Sequence, residues 1–366
     1  MPRSTAVDMD RLRDLLVSLP LPRFDERIVL TVDVSPWLRS DAACSPLFCH
    51  VYGRSKEAAQ IIPGWPYSVV AALTPDRTSW TAVLDAVRLR PADDAAAVTA
   101  GQLRQVVQRL IAAGQWRHGD LDVLIVMDAG YDVMRLARLL SDLPVELAGR
   151  LRSDDRALRL PKPPRVYDPK GGRPPKHGPE FRLAKPETWP EPAVVTMNDT
   201  PRYGKAEARA WDRVRPRLTH RSAWIDLDGE LALVDGTLIR LKVDHLPGDR
   251  DAPPVWPWSS ATGAASVDVA FVRSCYLRRF DLEHTFRLFK QSLGWTRPRL
   301  RDPQAVDRWT WLVIAAHTQL RPRCRWQPTS ASPGRRPHAP APRSPRPGSG
   351  GVQEHPPPPG QSGPCT

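Results

Sequence analysis

The sequence predicts an α/β fold: a mixed sheet flanked by helices and interrupted by a mainly β segment. Three observations carry this prediction. Two apolar runs, Ile28 to Val32 and Leu121 to Met127, read as buried strands, and each ends on an aspartate, Asp33 and Asp128. Strand-like and helix-like patterns alternate around them up to Arg150. The pattern then breaks at Ser153 and helical spacing returns only near Val267.

Taken in order, MDRLRDLLVSLP near the start has the spacing of one short amphipathic helix, within an N-terminal segment spanning residues 1–26. Ile28 to Val32 gives the first strand. Pro66 to Leu73 and Trp80 to Leu89 give two more, separated by the turn signal Thr74-Pro75-Asp76, so the three read as an antiparallel meander. Asp93 to Gly114 is a crossover helix with Leu103, Val106, Val107, Leu110 and Ile111 on one face and glycine at its end. Leu121 to Met127, a helix from Tyr131 to Leu140 and a strand from Pro144 to Arg150 follow. Strand, strand, strand, helix, strand, helix, strand is the order of a ribonuclease-H-like core, whose first part is assigned to residues 27–152.

Residues 153–266 read as an insertion domain, rich at first in Pro, Arg and Lys and then in short strand-like runs such as Leu238 to Val243. Residues 267–320 complete the core with one helix running to Leu293 and another from Pro303 to Leu320. Beyond Leu320 the composition turns to Pro, Arg, Ser, Gly and Ala, which cannot build a core, so residues 321–366 are expected to be a disordered tail.

The chain carries a net charge of +13, which favours a polyanionic partner such as nucleic acid over an acidic small molecule. Seven arginines and one glutamate after Leu320 supply about +6 of this, so the remainder stays basic without the tail. Five cysteines without a CxxC pair, and no secretory signal or membrane-length apolar run, read as a cytosolic, reduced protein with no membrane partner. Cys44, Cys49 and His50 lie close together, but no second ligand pair follows at zinc-site spacing.

Asp33 and Asp128, each at the carboxyl end of a predicted central strand, are placed side by side at one edge of the sheet. Either one alone is an ordinary turn or cap residue. In YLRRFDLEHTFRLFKQ, Tyr276, Arg279, Glu283 and Lys290 follow at spacings of three, four and seven. On one helix these four fall within about 60° of each other as a polar stripe. Leu282, Phe286, Phe289 and Leu293 form a neighbouring apolar stripe. A solvated face in which Arg279 pairs with Glu283 has the same pattern.

The signature Tyr276-x2-Arg279-x3-Glu283-x6-Lys290 resembles the tyrosine, arginine, glutamate, lysine signature of DDE-type bacterial insertion-sequence transposases, and all four positions match. TVDVSPW around Asp33 and MDAGYD around Asp128 are similar to that family too. The resemblance covers about residues 20 to 320. It implies a ribonuclease-H-like core, a mainly β insertion before the glutamate helix, and two Mg²⁺ ions, with Mn²⁺ able to substitute. Hard cations need hard oxygen ligands, and two ions about 4 Å apart stabilise both the attacking and the leaving oxygens. On this reading Asp33 bridges the metals, Asp128 holds one and Glu283 the other, while Tyr276, Arg279 and Lys290 contact phosphates beside the scissile bond. The implied reaction is DNA cleavage by water followed by attack of the released 3′-hydroxyl on a second phosphodiester. Its partner is double-stranded DNA, as element ends and target, with a homodimer on paired ends in the bacterial nucleoid.

Other signals are weaker. GGRPPKHG, residues 171–178, has the character of a minor-groove arm or of a basic solvated loop. Trp211, Trp224, Trp256 and Trp258 read first as core, and second as stacking surfaces for a flipped base. His50, Tyr52 and Arg54 follow the first acid and are candidate site-lining residues. In the family a helical DNA-binding segment precedes the catalytic core, and residues 1–26 are a candidate remnant of it. The tail resembles GC-rich codons read out of frame, giving the expectation of a frameshift near Arg321. Two rival functions therefore stand beside transposition: an inactive DNA-binding remnant, and a ribonuclease-H-like nuclease without strand transfer.

Overall fold

The structure is a computed structural model that describes residues 8–41, 46–54, 59–76, 78–152, 157–162, 178–200, 203–216, 233–245 and 252–325. It begins with helix α1 (Met9–Ser18), capped by Asp8, whose carboxylate accepts from Arg11 N. Strands β1 (Val29–Leu38), β2 (Cys49–Arg54), β3 (Ala59–Ala72) and β4 (Ala82–Arg88) come next, then helix α2 (Ala95–Ala112), strand β5 (Val123–Met127), helix α3 (Val133–Leu139) and strand β6 (Val145–Leu151). β1 pairs antiparallel with β3, β3 antiparallel with β4, β1 parallel with β5, and β5 parallel with β6. The predicted meander and crossover are therefore present, with β2 as an additional strand.

β1 differs from its expected extent. It does not stop at Asp33 but runs on to Leu38, because β3 continues to offer it ladder partners, Asp33 opposite Val69 and Leu38 opposite Gly64. Only its parallel partner β5 ends at this level, with Val32 opposite Met127. Gly64 is required at the far end, where an added Cβ would lie 2.7 Å from Trp37 O.

The region 157–259 contributes β7 (Ala157–Arg159), β8 (Glu180–Arg182), β9 (Val194–Thr200), β10 (Gly204–Trp211), β11 (Arg215–Pro216), β12 (Thr237–Val243) and β13 (Trp256–Ser259). β7, β8 and β11 form a small sheet, while β13, β12, β10 and β9 extend the main sheet outward from β6. Trp211, Trp256 and Trp258 are buried; Trp211 and Trp256 cluster with Phe181 and Trp189. They are core, as first read; Trp224 lies outside the described residues, as does most of GGRPPKHG.

Helices α4 (Ser266–Arg278), α5 (Phe280–Gln291) and α6 (Pro303–Arg325) close the fold. The expected single helix up to Leu293 is divided at Arg279, which ends α4 and begins α5. α6 outruns its expected end at Leu320. Strand alternation puts helices on both faces of the sheet. Leu30, Val32, Ile125 and Met127 pack with Leu103 and Val106 of α2 and Leu136 of α3. Val29, Leu124 and Val126 pack with Val269, Val272 and Tyr276 of α4. Trp37, Trp65 and Tyr67 pack with Phe286 and Phe289 of α5 and Trp311 of α6. Tyr67 donates to Asp307 at 2.6 Å, and Arg88 grips the same carboxylate at 3.0 and 3.1 Å, tying α6 to β3 and β4. No helix among the described residues is long and apolar enough to cross a membrane.

Candidate carboxylate site

The alternation that sends Leu30 and Val32 toward α2 and α3 sends Asp33 to the opposite face, under α4 and α5. Asp128 follows Met127 on the adjacent parallel strand, one residue past the register pair Val32 and Met127. The two carboxylates thus come from neighbouring strands, which lie about 4.8 Å apart. The turn after Asp128 is held close by Gly149 on β6, where an added Cβ would lie 2.8 Å from both Met127 Cγ and Val133 Cβ.

The α4–α5 junction delivers the rest. Tyr276 is buried beneath α4, and its hydroxyl donates to Asp128 Oδ1 at 3.5 Å. Arg279 Nη2 lies 3.3 Å from the same oxygen, while Nη1 donates to Tyr276 O at 3.1 Å. Its guanidinium is stacked between the rings of Tyr276 and Phe280, at 4.0 and 3.9 Å. The four polar positions do not form one continuous stripe: Tyr276 and Arg279 turn inward, whereas Glu283 in the first turn of α5 is exposed. The physical reason is the junction itself, where Arg279 satisfies a carboxylate and two rings at once. α5 is pinned to the start of β4 through the hydroxyls of Thr81 and Thr285, hydrogen-bonded at 2.9 Å.

Electrostatics link all six predicted residues. Burial raises the Asp33 carboxyl to about 6, Val34 N–H donates to it at 2.7 Å in opposition, and the negative charges of Glu283 and Asp128 push it further up against the pull of Arg279. Burial lowers the Lys290 ammonium, and Asp33 counteracts that shift. Burial likewise raises the Tyr276 phenol. Among the described residues, no three His, Cys, Asp or Glu side chains are gathered closely enough to hold an ion. The chemistry of the donors is that of a divalent-cation ligand set: they are carboxylates, hard oxygen donors, whose mutual repulsion at Asp33 such an ion would relieve.

His50, Tyr52 and Arg54 are not brought to this site. β2 meets β3 from Gly64 outward, five residues along from the Val69 that faces Asp33, or roughly 17 Å at strand rise. Sequence reading missed Tyr131, whose buried phenol is raised by burial and by the charge of Asp33. MDAGYD contains it, but only the turn back over β1 shows what it faces.

The class is thus an α/β protein whose helix-flanked mixed sheet sets two carboxylates on neighbouring parallel strands, with the cationic groups of Arg279 and Lys290 beside them. The match with known families agrees: residues 1–217 match the DDE superfamily endonucleases, and the chain belongs to that family. Asp33 and Asp128 fall within the matched residues and Glu283 beyond them. No curated protein matches the chain.

Proposed function

We propose that this protein is a DDE transposase that cleaves DNA and joins the released end to a second phosphodiester, on a ribonuclease-H-like core formed by β1, β3, β4, β5 and β6. The observation that supports it best is the convergence on Asp33: Asp128 beside it just past the end of β5, Glu283 and Lys290 within electrostatic reach from α5, and Arg279 and Tyr276 on Asp128. Asp33, Asp128 and Glu283 are the residues that would hold two Mg²⁺ or Mn²⁺ ions. When bound, such ions lower the pKa of coordinated water and stabilise charge on phosphate oxygens.

The protein's own groups do the remaining work. Tyr276 and Arg279 orient Asp128 from one side, and the Val34 amide fixes one oxygen of Asp33. Lys290, held over the Trp295 ring at 5.8 Å, supplies positive charge toward a phosphate presented at Asp33. Glu283, exposed at the start of α5, completes the acidic set. Residues 153–266 serve as an insertion domain between the two halves of the core, and a pair of DNA ends implies a homodimer.

Purified full chain with Mg²⁺ or Mn²⁺ on the element's terminal DNA tests this. Cleaved and joined products are expected, with Asp33→Ala, Asp128→Ala and Glu283→Ala each losing activity by at least about 10³-fold, the scale of losing a principal source of transition-state stabilisation. Cleavage without joined products reduces the reading to a nuclease. DNA binding with no cleavage under either metal overturns it in favour of a non-catalytic DNA-binding protein.

A further inference from the structure

A cavity of 210 Å³ opens at the residue after Asp128, and none of the roles above uses it. Ala129, Gly130, Tyr131 and Asp132 line one wall; Arg150 and Arg152, from the end of β6 and just beyond it, line the other. The cavity neighbours the carboxylate site through two of its lining residues. Tyr131 faces both the cavity and the charge of Asp33, and Arg150 lies within electrostatic reach of Tyr276, which donates to Asp128.

The chemistry of the lining selects an anion. Neither Arg150 nor Arg152 has a carboxylate partner among the described residues. Arg150 Nε is buried without an acceptor, a charged donor whose desolvation is left uncompensated unless a ligand completes it. Arg152 Nε donates to Ala129 O at 3.2 Å, holding its side chain across the mouth. The only acid in the lining, Asp132, is engaged in capping α3, accepting from Arg135 N at 3.1 Å. Gly130 presents open space, so the turn can be approached closely. A guanidinium meets phosphate through paired, charge-assisted N–H bonds, which makes a phosphodiester the fitting ligand.

We propose that Arg150 and Arg152 form a phosphate subsite that grips the DNA strand one step away from the phosphodiester presented to Asp33 and Asp128. The assignment of the strand rests on the functional reading above. It makes these arginines positioning residues: they fix the register of the strand along the carboxylates and leave the chemistry to them.

The test is a salt titration of full-length protein, in EDTA, binding a labelled random-sequence duplex. Each phosphate contact contributes about 0.9 to the slope of log affinity against log salt. Arg150→Gln/Arg152→Gln is therefore expected to lower the slope by about 1.8, and Arg152→Gln alone, at an exposed position, by about 0.9. Arg117→Gln/Arg138→Gln removes two exposed charges from the opposite end of the strands and is expected to leave the slope unchanged. An unchanged slope in the Arg150 and Arg152 variants, or an equal fall in the Arg117 and Arg138 control, overturns the proposal. Should the double variant lose its native circular dichroism, Arg152→Gln alone decides. Plasmid nicking by wild-type protein with Mn²⁺ is read separately: its absence counts against the enzymatic reading, while the slope alone decides the subsite.

Discussion

Asp33 keeps its charge in a place that resists it. Burial and two neighbouring carboxylates lift its carboxyl from 3.8 to about 6, so between these values the folded protein binds more protons than the unfolded chain. Stability from this group is therefore present at low pH and is lost as pH rises toward 6 and beyond. In metal-free protein at pH 7, Asp33→Asn is expected to raise the unfolding free energy by about 2–3 kcal/mol, and by pH 4 the gain should vanish. The Asn carbonyl can still accept from Val34 N–H, so this contact is kept. Urea unfolding at the two pH values measures the difference; an Asn variant less stable than wild type at pH 7 would show that the acid is not under this strain. Adding Mg²⁺ should stabilise wild type much more than the variant, since a ligand bound only by the folded state adds about 2.7 kcal/mol at a hundredfold excess over Kd. The same strain explains why an isolated Asp33 looked ordinary in sequence: its distinction lies in neighbours brought from residues 128 and 283.

At the level of elements, α1 illustrates how a segment's role is fixed by its contacts. Asp85 on β4 is fully buried and its carboxylate meets Arg13 Nε of α1 at 2.6 Å, while the Arg13 guanidinium lies 4.7 Å from the Trp311 ring centre on α6. Leu16 and Val17 of the same helix are buried in the core. α1 is thus an integral layer of the fold. Breaking a buried pair from one side leaves an uncompensated charge, so Arg13→Ala is expected to cost about 3–5 kcal/mol. Arg13→Ala/Asp85→Ala should recover part of that loss. Denaturant midpoints for the singles and the double give the coupling, and additive losses would mean that the pair contributes nothing of its own. The α4–α5 junction follows the same logic. Helical spacing correctly grouped Tyr276, Arg279, Glu283 and Lys290, but the break at Arg279 divides them into two buried groups on Asp128 and two facing the space beside Asp33.

Across the whole molecule, the main sheet runs without interruption from β2 to β9, and the join between β6 and β13 is a ladder from Leu151 opposite Trp256 to Ala148 opposite Ser259. Ser259 Oγ also meets Glu146 at 2.5 Å, and Glu146 pairs with Arg27 at 2.6 Å, so the join is cross-braced at the start of β6. Continuous backbone pairing with buried flanking tryptophans favours one cooperative unit. Hydrogen exchange should therefore give amides of β12 and β13 the same opening free energy as those of β5. A distinct, weaker exchange class covering β9, β10, β12 and β13 would instead mark the insertion as an independently unfolding domain.

Residue patterning by itself determined the α/β class, the order of the first core elements, the two strand-associated aspartates and the signature on the later helices. These are local properties: apolar runs, helical periods and turn residues report on a chain segment wherever it lies. Only the tertiary structure decided that β1 continues past Asp33, because its partner β3 is a distant segment. Only it turned Arg279 inward onto Asp128 and carried β13, β12, β10 and β9 onto the edge of the same sheet. The cavity between Arg150, Arg152 and the Asp128 turn was equally illegible, since LAGRLR reads as a strand end and becomes a candidate phosphate subsite only where Gly149 lets the neighbouring turn close over it. Long-range pairing and burial set these features, and neither is written in the spacing of any one segment.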